Sequence, residues 1–335
     1  MDNIIDKVLN ADLKTVAHLI RDVEDGIPEV QEYLKALYPH TGKSYIIGVT
    51  GAPGVGKSTL IDQLIGKLRN NSNTVAVIAV DPTSPFSDGA ILGDRIRMQR
   101  HNLDDGVFIK SMATRGHFGG LTQSTRSVIN ILDAMGSGYI IVETVGVGQD
   151  EVDIVKTAHT TVVVTMPGMG DGLQAIKAGG LEIGDIFVIN KVHLGGADNT
   201  AADISLMLNL DQRRRKENNW TPPVLKIEAT SSEEINSLVR EIENHKSFLQ
   251  SLPNPTKAQI AKSKIKNELL EITQARVIQE TLKEINESEE FITLVDDIFE
   301  KRTDPYSASE KIMPQRFLSL SFAKINRGLG LGEKA

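Results

Sequence analysis

The chain has 335 residues, enough for two ordinary domains or one large domain with attachments around a sizeable core. Its formal net charge of −7 argues against a broad nucleic-acid-binding surface, and no nucleic-acid partner is expected. The absence of cysteine excludes disulfides, thiolate catalysis and cysteine-ligated metals, which suits a reducing compartment.

No apolar stretch approaches the ~18–20 residues that cross a bilayer, so membrane insertion is not expected. Met1-Asp2-Asn3-Ile4-Ile5-Asp6 has neither the basic-then-apolar layout of a signal peptide nor the Arg-rich layout of a transit peptide. The expectation is a cytoplasmic protein.

The N-terminal segment reads as helical. Ile4, Ile5, Val8 and Leu9 form one apolar stripe and Leu13, Val16, Ala17 and Ile20 another, with breaks at Asp25-Gly26 and Pro28. The apolar run Tyr45–Thr50 then leads into Gly51-Ala52-Pro53-Gly54-Val55-Gly56-Lys57-Ser58, which fits the phosphate-loop spacing of Gly, four residues, Gly, Lys and Ser or Thr. A helix with Leu60, Ile61, Leu64, Ile65 and Leu68 at helical spacing follows, and Thr59, next to Ser58, is a candidate nucleotide-binding residue with the loop. Strand, glycine turn and helix is the context this motif requires. Its backbone N–H groups would face phosphate oxygens at the positive helix end, Lys57 would reach the outer phosphates, and the Ser58 hydroxyl would ligate Mg2+.

Further strands are predicted at 74–80, 107–110, 138–143, 160–166, 185–190 and 223–227, several of them nearly continuous apolar runs such as Val75–Val80. Strands of that kind are buried on both faces, so the predicted fold class is α/β, with a mostly parallel central sheet flanked by helices. Acidic residues at the carboxyl ends of such strands are candidate magnesium ligands or water-orienting groups. Asp81 and Glu143 stand at strand ends, and Asp94 lies in Ile91-Leu92-Gly93-Asp94-Arg95. Arg97 is a candidate transition-state cation, with an ordinary surface arginine as the plain alternative, and Gln149 a candidate for positioning water.

The Thr-Val-Gly after Glu143 resembles the switch turn of GTPases, in which the Gly146 N–H would meet the γ-phosphate. Asn190-Lys191-Val192-His193 follows a strand where GTPases carry Asn-Lys-x-Asp. The missing acid would accept two hydrogen bonds from guanine, whereas a neutral imidazole offers one acceptor and its cation none. Asp198, five residues on, is a possible substitute on sequence grounds, and His193→Asp is expected to tighten guanine nucleotides selectively.

After Pro253-Asn254-Pro255 the chain is charged and, as far as residue 312, free of glycine, with apolar residues at Ile265, Leu269, Ile272, Ala275, Ile278, Leu282 and Ile285. That is one stripe of a long helix, suited either to packing on its own domain or to dimerisation. The expected organisation is an N-terminal helical extension at 1–42, a nucleotide domain at 43–252, a C-terminal helical region at 253–312 and a loosely ordered tail at 313–335.

Taken together, these blocks resemble the MeaB/ArgK/MMAA family, GTPase chaperones of adenosylcobalamin-dependent acyl-CoA mutases within the metallochaperone-related branch of P-loop NTPases. The resemblance is carried by the phosphate loop, Leu37–Gly42, Ala79–Phe86, Ile91–Asp94, Arg115–Gly120, Val142–Gln149, Pro167–Asp171, Gln174–Gly179 and Asp304–Ala308. The glutamate of Glu143-Thr144-Val145-Gly146, where most small GTPases have aspartate, is its most specific mark.

The resemblance implies a homodimer built on the C-terminal helices and Mg2+-dependent GTP hydrolysis that gates adenosylcobalamin delivery to a mutase. Adenosylcobalamin would be held only through the partner, since the chain has no Asp-x-His-x-x-Gly segment. Lys57, Ser58, Asp81, Asp94 and Glu143 would take the phosphate and magnesium roles, with Arg97 in the first switch. Asn190, Lys191 and His193 would form the base loop together with Glu228-Ala229-Thr230, where a Ser-Ala-x turn is usual and the Ala229 N–H meets the guanine carbonyl. Two other functions fit less of the chain. One is an ATPase or kinase associated with lysine, arginine and ornithine transport. The other is a nickel- or zinc-insertion GTPase, whose cysteine motifs or histidine tracts are absent among seven scattered histidines.

Overall fold

The computed structural model describes residues 2–70, 72–81, 98–101, 103–113, 120–144, 157–168, 183–210 and 220–312. Seven strands form one sheet: β1 (Tyr45–Thr50), β2 (Val75–Asp81), β3 (Val107–Ala113), β4 (Tyr139–Thr144), β5 (Thr160–Thr165), β6 (Ile186–Ile189) and β7 (Val224–Lys226). Their order is β3-β2-β4-β1-β5-β6-β7 and every pairing is parallel. Each sequence-predicted strand is present, and β4, β5 and β6 are buried along their whole length. Parallel strands must be joined by crossovers, and the crossover helices bury both faces of the sheet.

Alternate residues sort between those faces. Ile47, Val49, Val77, Ile141, Val162, Val164 and Val188 pack against α4 (Lys57–Arg69) and α7 (Ser232–Ser251). On the opposite face, Ala76, Ile78, Ile140 and Val142 meet α5 (Gly120–Ala134) and three N-terminal helices. These are α1 (Asp2–Leu9), α2 (Leu13–Glu24) and α3 (Val30–Leu37), which contribute Val8, Val16, Leu19, Ile20, Val30 and Leu37. Val163, Phe187 and Ile189 form a smaller cluster with Ala197 and Ile204 of α6 (Ala197–Leu210). The N-terminal helices thus complete one layer of the sheet's own core.

The chain is fastened where it passes from this layer into β1. The Asp133 carboxylate accepts hydrogen bonds from the N–H groups of Gly42, Lys43 and Ser44 and from the Ser44 hydroxyl, at 2.6–3.0 Å. Four donors on one carboxylate fix the start of the strand that ends in the phosphate loop.

The chain divides into two compact units, Met1–Lys264 and Ile265–Ala335. The first holds the sheet and both its helical layers. The second contains the C-terminal part of α8 (Asn254–Asn286), then α9 (Glu289–Phe299) and α10 (Pro305–Ile312). The predicted long helix is present as α8, and no α8 residue is buried. Among the described residues, no helix is long and apolar enough to cross a membrane.

Candidate nucleotide site

β1 ends at Thr50 between β4 and β5, and the chain turns through Gly51–Gly56 into α4. Gly51, Gly54 and Gly56 have φ of 145°, 79° and 94°, backbone that side-chain-bearing residues rarely adopt. Space is also closed at two of them. A Cβ on Gly51 would stand 2.1 Å from the Val164 carbonyl oxygen, and one on Gly56 2.4 Å from Asn190 Nδ2. The loop is therefore wedged between the β5 backbone and the residue that follows β6. Pro53 and Gly54 form its exposed tip, while Val55 is buried beneath.

α4 begins at Lys57, so its first backbone N–H groups and the positive end of its dipole face the loop. Lys57 is 5% exposed, and its Nζ donates to the carbonyls of Gly51 at 2.8 Å and Ala52 at 3.1 Å. The ammonium thus sits inside the ring of backbone that would surround a phosphate chain. Thr59 continues the first turn of α4.

The Ser58 hydroxyl donates to Glu143 Oε1 at 2.9 Å, joining residues 85 positions apart. The strand register explains the meeting. Glu143 lies opposite Val49 on one side and Ala79 on the other, at the carboxyl edge of the sheet. Asp81 ends β2 at the same edge, opposite Ala113. A buried hydroxyl and carboxylate at a helix N-terminus form an oxygen-only pair. Such a pair can hold a hard divalent cation whose remaining positions are filled by water and phosphate. Asp94, Arg97, Gly146 and Gln149 lie outside the described residues, as does the Asp81 side chain.

The second half of the site forms where β6 and β7 end. Asn190 is 2% exposed, and its Nδ2 donates to the Val55 carbonyl at 2.7 Å while its Oδ1 accepts the Ala229 N–H at 3.0 Å. One amide thereby links the phosphate loop, the β6 loop and the turn after β7. Lys191 takes a left-handed φ of 57°, and its Nζ donates to the Gly54 carbonyl at 2.7 Å. The lysine stem thus lies beside the phosphate loop.

His193 Nδ1 stands 2.5 Å from Glu228 Oε2. Asp198 is not a substitute acid at this point. Its carboxylate is held by Lys226 Nζ at 2.6 Å, and that hydrogen bond keeps its pKa below the usual carboxylate range. Thr230 is exposed at the end of the turn.

Sequence reasoning missed Glu234. Its carboxylate accepts the Glu228 N–H, and its own N–H reaches the Ser231 hydroxyl at the start of α7. The signal was the capping pattern Ser231-Ser232-Glu233-Glu234. The pattern is diverted here, because the glutamate reaches back to fix the base turn as well as the helix. The contact between His193 and Glu228 was also invisible, because no local rule pairs residues 35 positions apart.

Comparison with known proteins decides the relationship. The family model described as "Methylmalonyl Co-A mutase-associated GTPase MeaB" matches residues 16–286. The chain belongs to the MeaB family. It is 46% identical over 313 residues to a Pyrococcus horikoshii protein named as a GTPase, spanning 93% of this chain and 97% of the other. It is also 36% identical over 240 residues to the Escherichia coli (strain K12) protein named GTPase ArgK, across 70% of this chain and 72% of that one. Among solved structures, one titled a LAO/AO transport system kinase superposes with a TM-score of 0.68 at 24% identity. That match covers 95% of this chain and 97% of the other, and it speaks to the fold alone. As a member of the MeaB family the chain is a P-loop GTPase, and its seven-stranded parallel sheet with flanking helices is the matching architecture.

Proposed function

We propose that this MeaB-family GTPase is a Mg2+-dependent chaperone that couples GTP hydrolysis to loading and protection of a cobalamin-dependent acyl-CoA mutase of the methylmalonyl-CoA type. The observation that carries the reading is the match of residues 16–286 to a family described as mutase-associated. The contact of Ser58 with Glu143 supports the hydrolytic half of it.

In the mechanism, the N–H groups of Gly54–Ser58 cradle the phosphates and fix them before reaction. Lys57 places its ammonium on the β- and γ-phosphates, where negative charge develops as the terminal group departs. Ser58 and Glu143 would hold the magnesium ion, with Asp81 and Asp94 as further acids of the set. Bound magnesium would neutralise phosphate charge. Glu143, buried at the strand edge, can also orient a water through its carboxylate, and Arg97 and Gly146 would serve the switch region. Asn190 and Lys191 form the wall on which the base rests, and Glu228, Ala229 and Thr230 close it. Adenosylcobalamin would be handled by the mutase, with this chain acting as the gate.

The same reading makes the protein cytoplasmic, beside its mutase, and a homodimer through the C-terminal helices. Ile265, Leu269 and Leu282 are 52%, 63% and 50% exposed along one stripe of α8, and Phe299 at the end of α9 is 82% exposed. Apolar surface of that kind suits a protein interface. Sedimentation of the natural chain and of Leu269→Glu should give a dimer and a monomer, and a monomeric natural chain sinks the dimer. The transport-kinase reading has only fold-level support, and the metal-insertion reading lacks the cysteines its relatives use.

The deciding experiment is GTP turnover with and without candidate cobalamin mutases. A cognate mutase should raise turnover and co-purify with the protein. If none of the organism's cobalamin mutases binds it or changes its rate, the chaperone role fails while the GTPase assignment stands.

A further inference from the structure

A guanine base presents a ring N–H and an exocyclic amine side by side, and two parallel donors are met best by a carboxylate. Position 193, where a base loop of this kind carries its acid, holds an imidazole. That imidazole is turned toward another group, since His193 Nδ1 lies 2.5 Å from Glu228 Oε2. An ionised carboxylate can only accept, so Nδ1–H is the donor. The ring therefore orients a carboxylate that comes from a different loop.

Glu228 is well placed to act. Its N–H is fastened by the Glu234 carboxylate, which fixes its backbone. It directly precedes Ala229, whose N–H is tied through Asn190 to Val55 of the phosphate loop. Among the described residues its Oε1 takes no hydrogen bond, and the side chain is three-quarters buried. We propose that Glu228 supplies the carboxylate that reads the guanine edge, and that His193 is its positioning residue. Acid and supporting partner have exchanged places between the two loops. The assignment rests on the reading that Asn190–His193 and Glu228–Thr230 face the base.

This reverses the sequence-based expectation for His193→Asp. That substitution would set two carboxylates against each other and remove the donor that orients Glu228, so guanine nucleotides should bind more weakly.

The test is titration calorimetry of the full chain with GDP, XDP and ADP. Xanthine carries a carbonyl where guanine carries the amine, so it prefers an amide to a carboxylate. Glu228→Gln should weaken GDP, tighten XDP and move their affinity ratio by on the order of 100-fold. His193→Ala should weaken GDP about threefold and narrow the GDP/XDP ratio by a similar factor while leaving ADP affinity in place, as loss of a positioning group does. His193→Asp with Glu228→Ser should recover GDP affinity to within about threefold of the natural chain, because acid and partner are again on separate loops.

An unchanged GDP/XDP ratio in a Glu228→Gln protein that still binds nucleotide overturns the proposal, as does tighter GDP binding by His193→Asp alone. If Glu228→Gln binds none of the three nucleotides, the variant has misfolded and His193→Asp decides. A natural chain that holds ADP as tightly as GDP would remove the guanine reading itself, and this assignment with it.

Discussion

At the phosphate end of the site, eight consecutive residues make the cradle and the backbone supplies its polar groups. At the base end, Asn190, His193, Glu228 and Ala229 meet from two loops, and side chains supply the contacts. The first arrangement is local, and its geometry is enforced by glycine conformation and by the approach of β5. The second depends on long-range pairing, and the His193 side chain is 61% exposed. A local cradle leaves its residues little freedom, because each glycine is tied to a backbone angle. A side-chain pair can exchange roles between partners while the surrounding backbone stays as it is. That difference explains how the chain keeps its phosphate motif intact while departing from the usual residues at both base-loop positions.

The sharpest way to break the comparison is Gly51→Ala. The φ of 145° and the 2.1 Å approach to Val164 O leave no room for a methyl group, so loop or strand must move. A loss of ~3 kcal/mol or more in urea unfolding, with GTP binding abolished, is expected. A variant with natural stability and affinity would mean that the loop is not wedged against β5.

Asn190→Ala tests the link between the two ends. It strips partners from the Val55 carbonyl and the Ala229 N–H, both at a buried side chain, and should cost ~2 kcal/mol of stability. Phosphate affinity should fall along with base selectivity. Loss of selectivity alone, read from GTP against inorganic triphosphate, would show the ends to be independent.

The smallest expected effect is a control at the opposite edge of the sheet. His159 Nδ1 accepts the Ile46 N–H at 2.9 Å, which requires a neutral ring. Burial, aided by the Lys264 ammonium and partly opposed by Asp133, pushes its pKa down to about 4. The unfolded chain binds its proton near pH 6.5, so the folded state holds fewer protons between those values. Stability is present above pH 6.5 and is lost as the pH falls toward 4. His159→Gln should flatten that part of the pH–stability curve, leaving the GDP/XDP ratio unchanged. An equally steep curve in the variant would place the titration elsewhere.

Much of the molecule was legible before the structure. The apolar runs marked the central strands most clearly, because a parallel sheet buries both faces there, which removes the alternation and leaves an unmistakable composition. The phosphate loop was legible because glycine spacing is a direct record of backbone angles. The apolar stripes of α1 and α2 were legible as helices, but a stripe carries no record of what it packs on. Their place against Ile78 and Ile140 emerged only in the fold. The base end was legible by position alone. Asn190 and Ala229 could be assigned, while His193 and Glu228 read as two separate departures.

Sequence by itself determined the fold class and the phosphate-loop turn, and it singled out Lys57, Ser58 and Glu143 as candidates, since these follow from local backbone rules and from strand ends. Tertiary structure alone decided that Ser58 touches Glu143, that Asn190 joins the two loops, and that His193 meets Glu228. Hydrogen bonds across long stretches of chain depend on register and loop approach, and no short window of residues encodes either.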